Sequence, residues 1–173
     1  MRKMRFVLKW ICYLALTVLA RALQSVLAPR LSLFGAVPDF LPALTVCAAC
    51  LEGSMVGGVL GILAGVLCGA SSELGILWAP FYFTAAYMVG RLTETRLRAN
   101  FLTALGLSLA LTILLAALRG APALLRHGVW PSPAVLGGAA LFTAGGSVVL
   151  YPLMKGLRCL TPDRERRRGR ALP

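Results

Sequence analysis

The apolar positions fall into six runs separated by short polar or basic connectors, at about residues 6–27, 40–51, 54–70, 74–91, 100–118 and 133–154. The runs are continuous and do not alternate with period two, so they predict helices and no strands. At 1.5 Å per residue, about 20 residues cross a hydrocarbon core of about 30 Å. The second run is too short to cross upright, and is expected as a short tilted or re-entrant helix. Asp39 precedes it as a capping residue with Pro42 in its first turn, and Ser132 and Pro133 open the sixth run in the same manner.

Within the third run, GSMVGGVLGILAGVLCG, glycines recur every fourth residue at Gly53, Gly57, Gly61, Gly65 and Gly69. On a helix this is a stripe without side chains, costly in water but suited to close helix packing in lipid. The third run is therefore expected to be the central packing helix of the bundle. Gly137, Gly138, Gly145 and Gly146 in the sixth run form a second smooth patch. The fifth run is Leu-rich and is expected to face lipid or a partner.

Composition agrees with this pattern: 58% of the 173 residues are hydrophobic and the mean hydropathy is +0.80, outside the soluble range. The expected fold is an all-α integral membrane protein, a compact bundle of six transmembrane helices with a short second helix. Residues 1–160 form one polytopic domain and residues 161–173 a basic, disordered cytoplasmic tail. Arg2, Lys3, Arg5 and Lys9 precede the first run like a signal peptide, but its A-x-A match has Arg21 at the centre, so the run is expected to be retained.

The net charge of +12 comes from bases beside apolar runs and not from a folded basic face, which argues against nucleic acid. With six spans and an inner N-terminus, 14 of the 18 Lys and Arg lie inside; Arg30, Arg119 and Arg126 lie outside and Arg21 within the membrane. This bias favours six spans and two cytoplasmic termini. Trp10, Tyr13 and Tyr151 then fall at the inner interface, and Trp78, Tyr82 and Trp130 at the outer one. Arg21 either snorkels to the headgroups or pairs with an acid such as Asp39; the snorkelling form is the simpler.

Candidate chemistry is sparse. The single histidine, His127, is expected in the outer loop between the fifth and sixth runs, without flanking partners for acid–base catalysis. Cys47 and Cys50 form one C-x-x-C among apolar neighbours, which suits packing better than thiol exchange or zinc. The acids Asp39, Glu52, Glu73, Glu94, Asp163 and Glu165 fall at run ends or in loops, so no intramembrane relay is expected. No catalytic residue, cofactor, metal or small-molecule substrate is expected.

The segments PDFLPAL (Pro38 to Leu44), EGSMVGGVLGILAGVLCGASSELG (Glu52 to Gly75) and YMVGRL (Tyr87 to Leu92) resemble MreD, the polytopic rod shape-determining protein family of bacteria. The resemblance implies a non-enzymatic component of the cell-elongation machinery in the cytoplasmic membrane. It would act with MreC, MreB, RodA and a class B penicillin-binding protein in lateral peptidoglycan synthesis. Pro38 and Asp39 match the P-D motif, and Gly57, Gly61 and Gly65 the G-x-x-x-G motif. Family members often carry an Asp where Gly69 stands here; Glu73, one turn on, is the nearest acid. Docking would use one smooth face inside the bundle and leave a Leu-rich face for the single span of MreC. The alternative is the substrate-capturing subunit of an energy-coupling-factor vitamin transporter, similar in size and layout. The Ala-x-x-x-Ala docking pattern usual in the first span of that class is missing here.

Overall fold

The computed structural model describes residues 2–27, 30, 39–70, 75–97, 100–127 and 132–159. The described residues form the helices α1 (Arg2–Leu27), α2 (Leu41–Glu52), α3 (Ser54–Gly69), α4 (Trp78–Thr95), α5 (Phe101–His127) and α6 (Pro133–Cys159). A single 3-10 turn, Gly75–Leu77, leads into α4. No strand occurs among the described residues. Three segments are long and apolar enough to cross a membrane: Val7–Leu27, Phe101–Gly120 and Val135–Leu157. They expose Leu14, Val26, Leu102, Leu114, Leu141 and Val149, as segments facing lipid do. Length and composition thus establish an all-helical protein with three candidate membrane-spanning helices, while α2 and α3 are shorter apolar helices.

The centre of the bundle is α2, and not the glycine-striped α3 as expected from sequence. Every residue from Leu41 to Leu51 is buried, and α2 meets each of the other five helices. The reason lies in the distribution of its side chains. LPALTVCAACL is apolar all round, and its Ala43, Cys47, Ala48, Ala49 and Cys50 make it thin enough for neighbours to close in. By contrast α3 shows Met55, Val59, Ile62 and Val66 outward, so only one side of it is packed.

Gly53 alone joins α2 to α3. Its φ of +100° is a conformation that side chains rarely adopt. Its amide donates to Ala49 O, and its own carbonyl accepts from Gly57 N, both at 3.0 Å, so one helix ends where the next begins. The chain doubles back so tightly that a Cβ at Gly57 would lie 2.5 Å from Ala49 Cβ. Further along α3 the stripe turns to α4. A Cβ at Gly61 would meet Tyr82 O at 2.6 Å, and one at Gly65 would meet Ala79 Cα at 2.5 Å. Gly69 abuts the Gly75 backbone, and from the other helix Gly90 abuts Ser54. The two backbones therefore touch along most of α3.

A different contact joins α5 to α6. Ser108 faces Ser147 and Thr112 faces Thr143, each pair with oxygens 2.9 Å apart, and all four side chains are buried. The Thr112, Thr143 and Ser147 hydroxyls also lie within hydrogen-bond reach of the carbonyl four residues back on their own helix, and Ser108 of the one three back. Four protons are thus shared between backbone and inter-helix acceptors. This hydroxyl ladder gives every oxygen a partner where no water competes. Phe101 closes it against Tyr151 in an edge-on contact with centroids 5.5 Å apart. The fifth helix is thus not simply lipid-facing as expected, since Ala104, Ser108, Leu111, Thr112 and Leu115 are buried. On the other side of the bundle α1 contributes the narrow stripe Tyr13, Thr17, Ala20 and Gln24. Its 3- and 4-residue spacing keeps that stripe on one helix face.

Gly65→Leu should destabilise the fold by about 3 kcal/mol or more, because the neighbouring backbone of α4 cannot yield. Gly137, with open space about it, is the control: Gly137→Ala should be neutral or slightly stabilising. Thermal unfolding in detergent compares the two; equal effects would contradict the backbone contact.

Candidate functional site

The charged side chains that pair between helices gather at the two ends of α2. At its N-terminal end Asp39, only 6% exposed, accepts a hydrogen bond from Leu41 N at 3.3 Å through Oδ1. Its other oxygen, Oδ2, accepts from Arg119 Nη2 at 2.5 Å. The helix starts at Leu41, one residue later than read from sequence, with Phe40 at the N-cap and Asp39 bonding the first turn from outside it. Arg119 Nη2 also reaches Cys68 Sγ at 3.2 Å, and the guanidinium lies over the Trp78 ring, 5.3 Å from its centroid. Tyr82 packs against Trp78 with centroids 6.2 Å apart. Its hydroxyl lies in the neighbourhood of Asp39, Cys68 and Arg119 but completes no hydrogen bond of normal geometry. The Trp78 indole N–H is likewise buried without a partner.

At the C-terminal end of α2, Glu52 is 5% exposed and is held by Lys9 and by Tyr13, whose hydroxyl donates to Oε1 at 2.9 Å. Lys9 in turn lies over the Tyr13 ring. Beside it, Glu94 Oε1 at the end of α4 accepts from Ser54 N at 2.7 Å, and the Ser54 hydroxyl donates to the same carboxylate. An acid from one helix thus caps the N-terminus of another, where negative charge is favoured. These contacts place the start of α1 beside the end of α2, and the start of α3 beside the end of α4, so consecutive helices run in opposite directions.

Several expectations change. Asp39 has an arginine partner within the bundle, but it is Arg119 and not Arg21. The fifth apolar run stops at Leu118, which places Arg119 in an outer loop. The helix continues to His127, so Arg119 lies within it and His127 is its last residue rather than a loop residue. Trp78 and Tyr82 are packed inside the protein, at 1% and 0% exposed, and so do not turn their rings outward to the headgroups. Tyr13 is equally buried, against Glu52. Cys47 and Cys50 are buried thiols within α2. Glu52 is the last residue of α2, and its buried pairing was not anticipated.

Of the nine glycines singled out for packing, Gly53 forms the α2–α3 corner and Gly57, Gly61, Gly65 and Gly69 abut α2, α4 or the turn before α4. In α6, Gly146 rests on Phe40, Gly138 is buried, and Gly137 and Gly145 face open space. Pro38, Glu73, Trp130 and the tail 161–173 lie outside the described residues. Among the described residues no three His, Cys, Asp or Glu side chains converge to hold a metal. A longer apolar pattern would have found Arg119, since Ala121, Ala123, Leu124 and Leu125 continue beyond it. Comparison of the chain with protein-family models, curated proteins and solved structures finds no match.

Two apolar grooves flank α1. One, of about 390 Å³, runs between α1 and α3 beside Trp10 and Leu60. The other, of about 310 Å³, runs between α1 and α6, with Ala20, Gly145 and Gly146 among leucines and valines.

Removing one partner of a buried ion pair leaves the other charge stranded and costs about 3 kcal/mol. Arg119→Met, which strands Asp39, should destabilise by roughly that amount, Glu52→Gln by a similar one, and Asp39→Asn by less, because Arg119 is partly exposed. The Asp39→Asn, Arg119→Met double variant should lose at least about 1 kcal/mol less than the sum of the singles. Additive losses in thermal or SDS unfolding would show that the pair is not coupled.

Proposed function

We propose that the chain is a non-enzymatic docking component of the bacterial cell-elongation machinery in the cytoplasmic membrane. In this reading six helices cross the bilayer in alternating directions, with both termini cytoplasmic and α2 the short crossing. The opposed directions of consecutive helices and the inner bias of Lys and Arg support the alternation. The P-D and G-x-x-x-G segments support the likeness to MreD.

The observation that carries the docking role is where free packing surface remains. The glycine stripe of α3 is consumed within the protein, against Ala49, Tyr82 and Ala79. Bare positions remain on α5 at Gly106 and on α6, where Gly145 has open space above it in the apolar groove beside α1. A single apolar helix such as the MreC span would lay its side chains into that groove, because small residues let two helices approach closely. The described interior is filled by α2, so partners are met on the outside.

Gly145→Leu fills the groove without reaching the core. It should reduce co-purification of an MreC partner at least several-fold and widen or round the cells, while the amount of the variant in membranes stays normal. An unchanged complex and cell width would end this assignment. Thermal stabilisation of the purified protein by a vitamin would instead favour the transporter-subunit reading.

A further inference from the structure

The hairpins α3–α4 and α5–α6 both rest on α2, yet α4 and α5 scarcely touch each other among the described residues. At the Asp39 end, the side chain of Arg119 crosses that seam from α5 to Cys68 on α3 and Trp78 on α4. Beneath it lie two unpartnered hydrogen-bond donors, Trp78 Nε1 and Tyr82 Oη, each in a side chain at least nine-tenths buried. A buried donor without an acceptor is costly, and native proteins retain one where something absent from the bare chain can bond it. The surplus here is of one kind. Asp39 takes Leu41 N at Oδ1 and Arg119 at Oδ2, and neither buried donor reaches its carboxylate, so the unmet need here is for acceptors.

Depth narrows the choice of ligand. Arg119 is the penultimate residue of the membrane-crossing segment Phe101–Gly120. With Phe101 at one boundary of the hydrocarbon, Arg119, about 27 Å along α5, stands near the other. Its side chain is 38% exposed while Nη2 holds Asp39. A planar guanidinium with five N–H donors can hold a second oxyanion at another edge.

The geometry points to a binding site for the phosphate of an anionic membrane lipid, entered laterally along the α4–α5 seam. The guanidinium edge that Asp39 does not use holds the phosphate, and Trp78 N–H and Tyr82 O–H donate to its oxygens. This inference needs the chain to lie in a bilayer, but it does not depend on the docking role proposed above.

Tyr82→Phe tests it, because that change removes the unpartnered hydroxyl while leaving charge and ring packing in place. The measurement is thermal unfolding of wild type and Tyr82→Phe in nanodiscs of phosphatidylcholine, with increasing phosphatidylglycerol or with inorganic phosphate in solution. In phosphatidylcholine alone the variant should be as stable as wild type or more so. Phosphatidylglycerol should stabilise wild type, with roughly tenfold weaker apparent affinity in the variant, as expected for a hydrogen bond to a charged group. Inorganic phosphate should have little effect on either. Three results would overturn the inference. The first is equal stabilisation of both proteins by phosphatidylglycerol, the mark of a diffuse attraction between a basic protein and an acidic surface. The second is a loss of stability in the variant without anionic lipid, which would mean the hydroxyl is already partnered. The third is stabilisation by inorganic phosphate equal to that by lipid, which would move the site to a soluble anion.

Discussion

Complete burial of a short helix is the constraint on which the rest of the structure depends. With no face of α2 exposed, each end of that helix brings polar groups into a region that water cannot reach freely. Both ends carry an acid, Asp39 before the first turn and Glu52 in the last. Each is neutralised from a helix distant in sequence, by Arg119 of α5 and by Lys9 of α1. Unpaired, either charge would cost several kcal/mol. The two pairs therefore fix where α1 and α5 stand relative to the centre, a role that apolar contacts alone fill poorly because they slide.

Around that axis the two hairpins are held by opposite means. Between α3 and α4 the side chains are withdrawn, and glycines let backbone meet backbone at Gly61, Gly65 and Gly90. Between α5 and α6 side chains are supplied, and four hydroxyls form a ladder whose members also reach carbonyls of their own helices. Both solutions suit a setting in which apolar attraction between helices is weak because lipid is as apolar as leucine. The first gains close dispersion contact, the second hydrogen bonds without aqueous competition. Helix α1 uses neither along its length; a narrow stripe ending in the Lys9–Glu52–Tyr13 cluster holds it, and grooves remain on both flanks.

Much of this organisation was legible in the residues, and the failures have physical causes. Apolar runs located all six helices to within a few residues at most ends, and Pro133 opened α6 where its fixed φ suggested. What pattern reading missed was rank and partnership. A glycine stripe looks like the centre of a bundle because it advertises close packing, but a stripe is one-sided. A helix that is apolar in every direction, as α2 is, has the stronger claim to the middle. Ending the fifth run at the first charge hid Arg119, since an arginine paired to a buried acid can continue an apolar helix. The position of Trp78 and Tyr82 near a run end shows their level and not their burial, and only the fold shows that Arg119 lies over Trp78. The Asp39–Arg119 pairing joins residues 80 positions apart, beyond any local signal.

The account's central claim is tested most directly by enlarging α2 in three directions. Ala43, Ala48 and Ala49 lie at about 0°, 140° and 240° around the helix, taking 100° per residue. Each is fully buried. Ala→Leu at each position in turn, followed by thermal unfolding in detergent, should destabilise by about 1–3 kcal/mol every time, because each side chain meets protein. Wild-type stability at any one of the three would mean that this side of α2 faces lipid, and would contradict a centre closed on all sides.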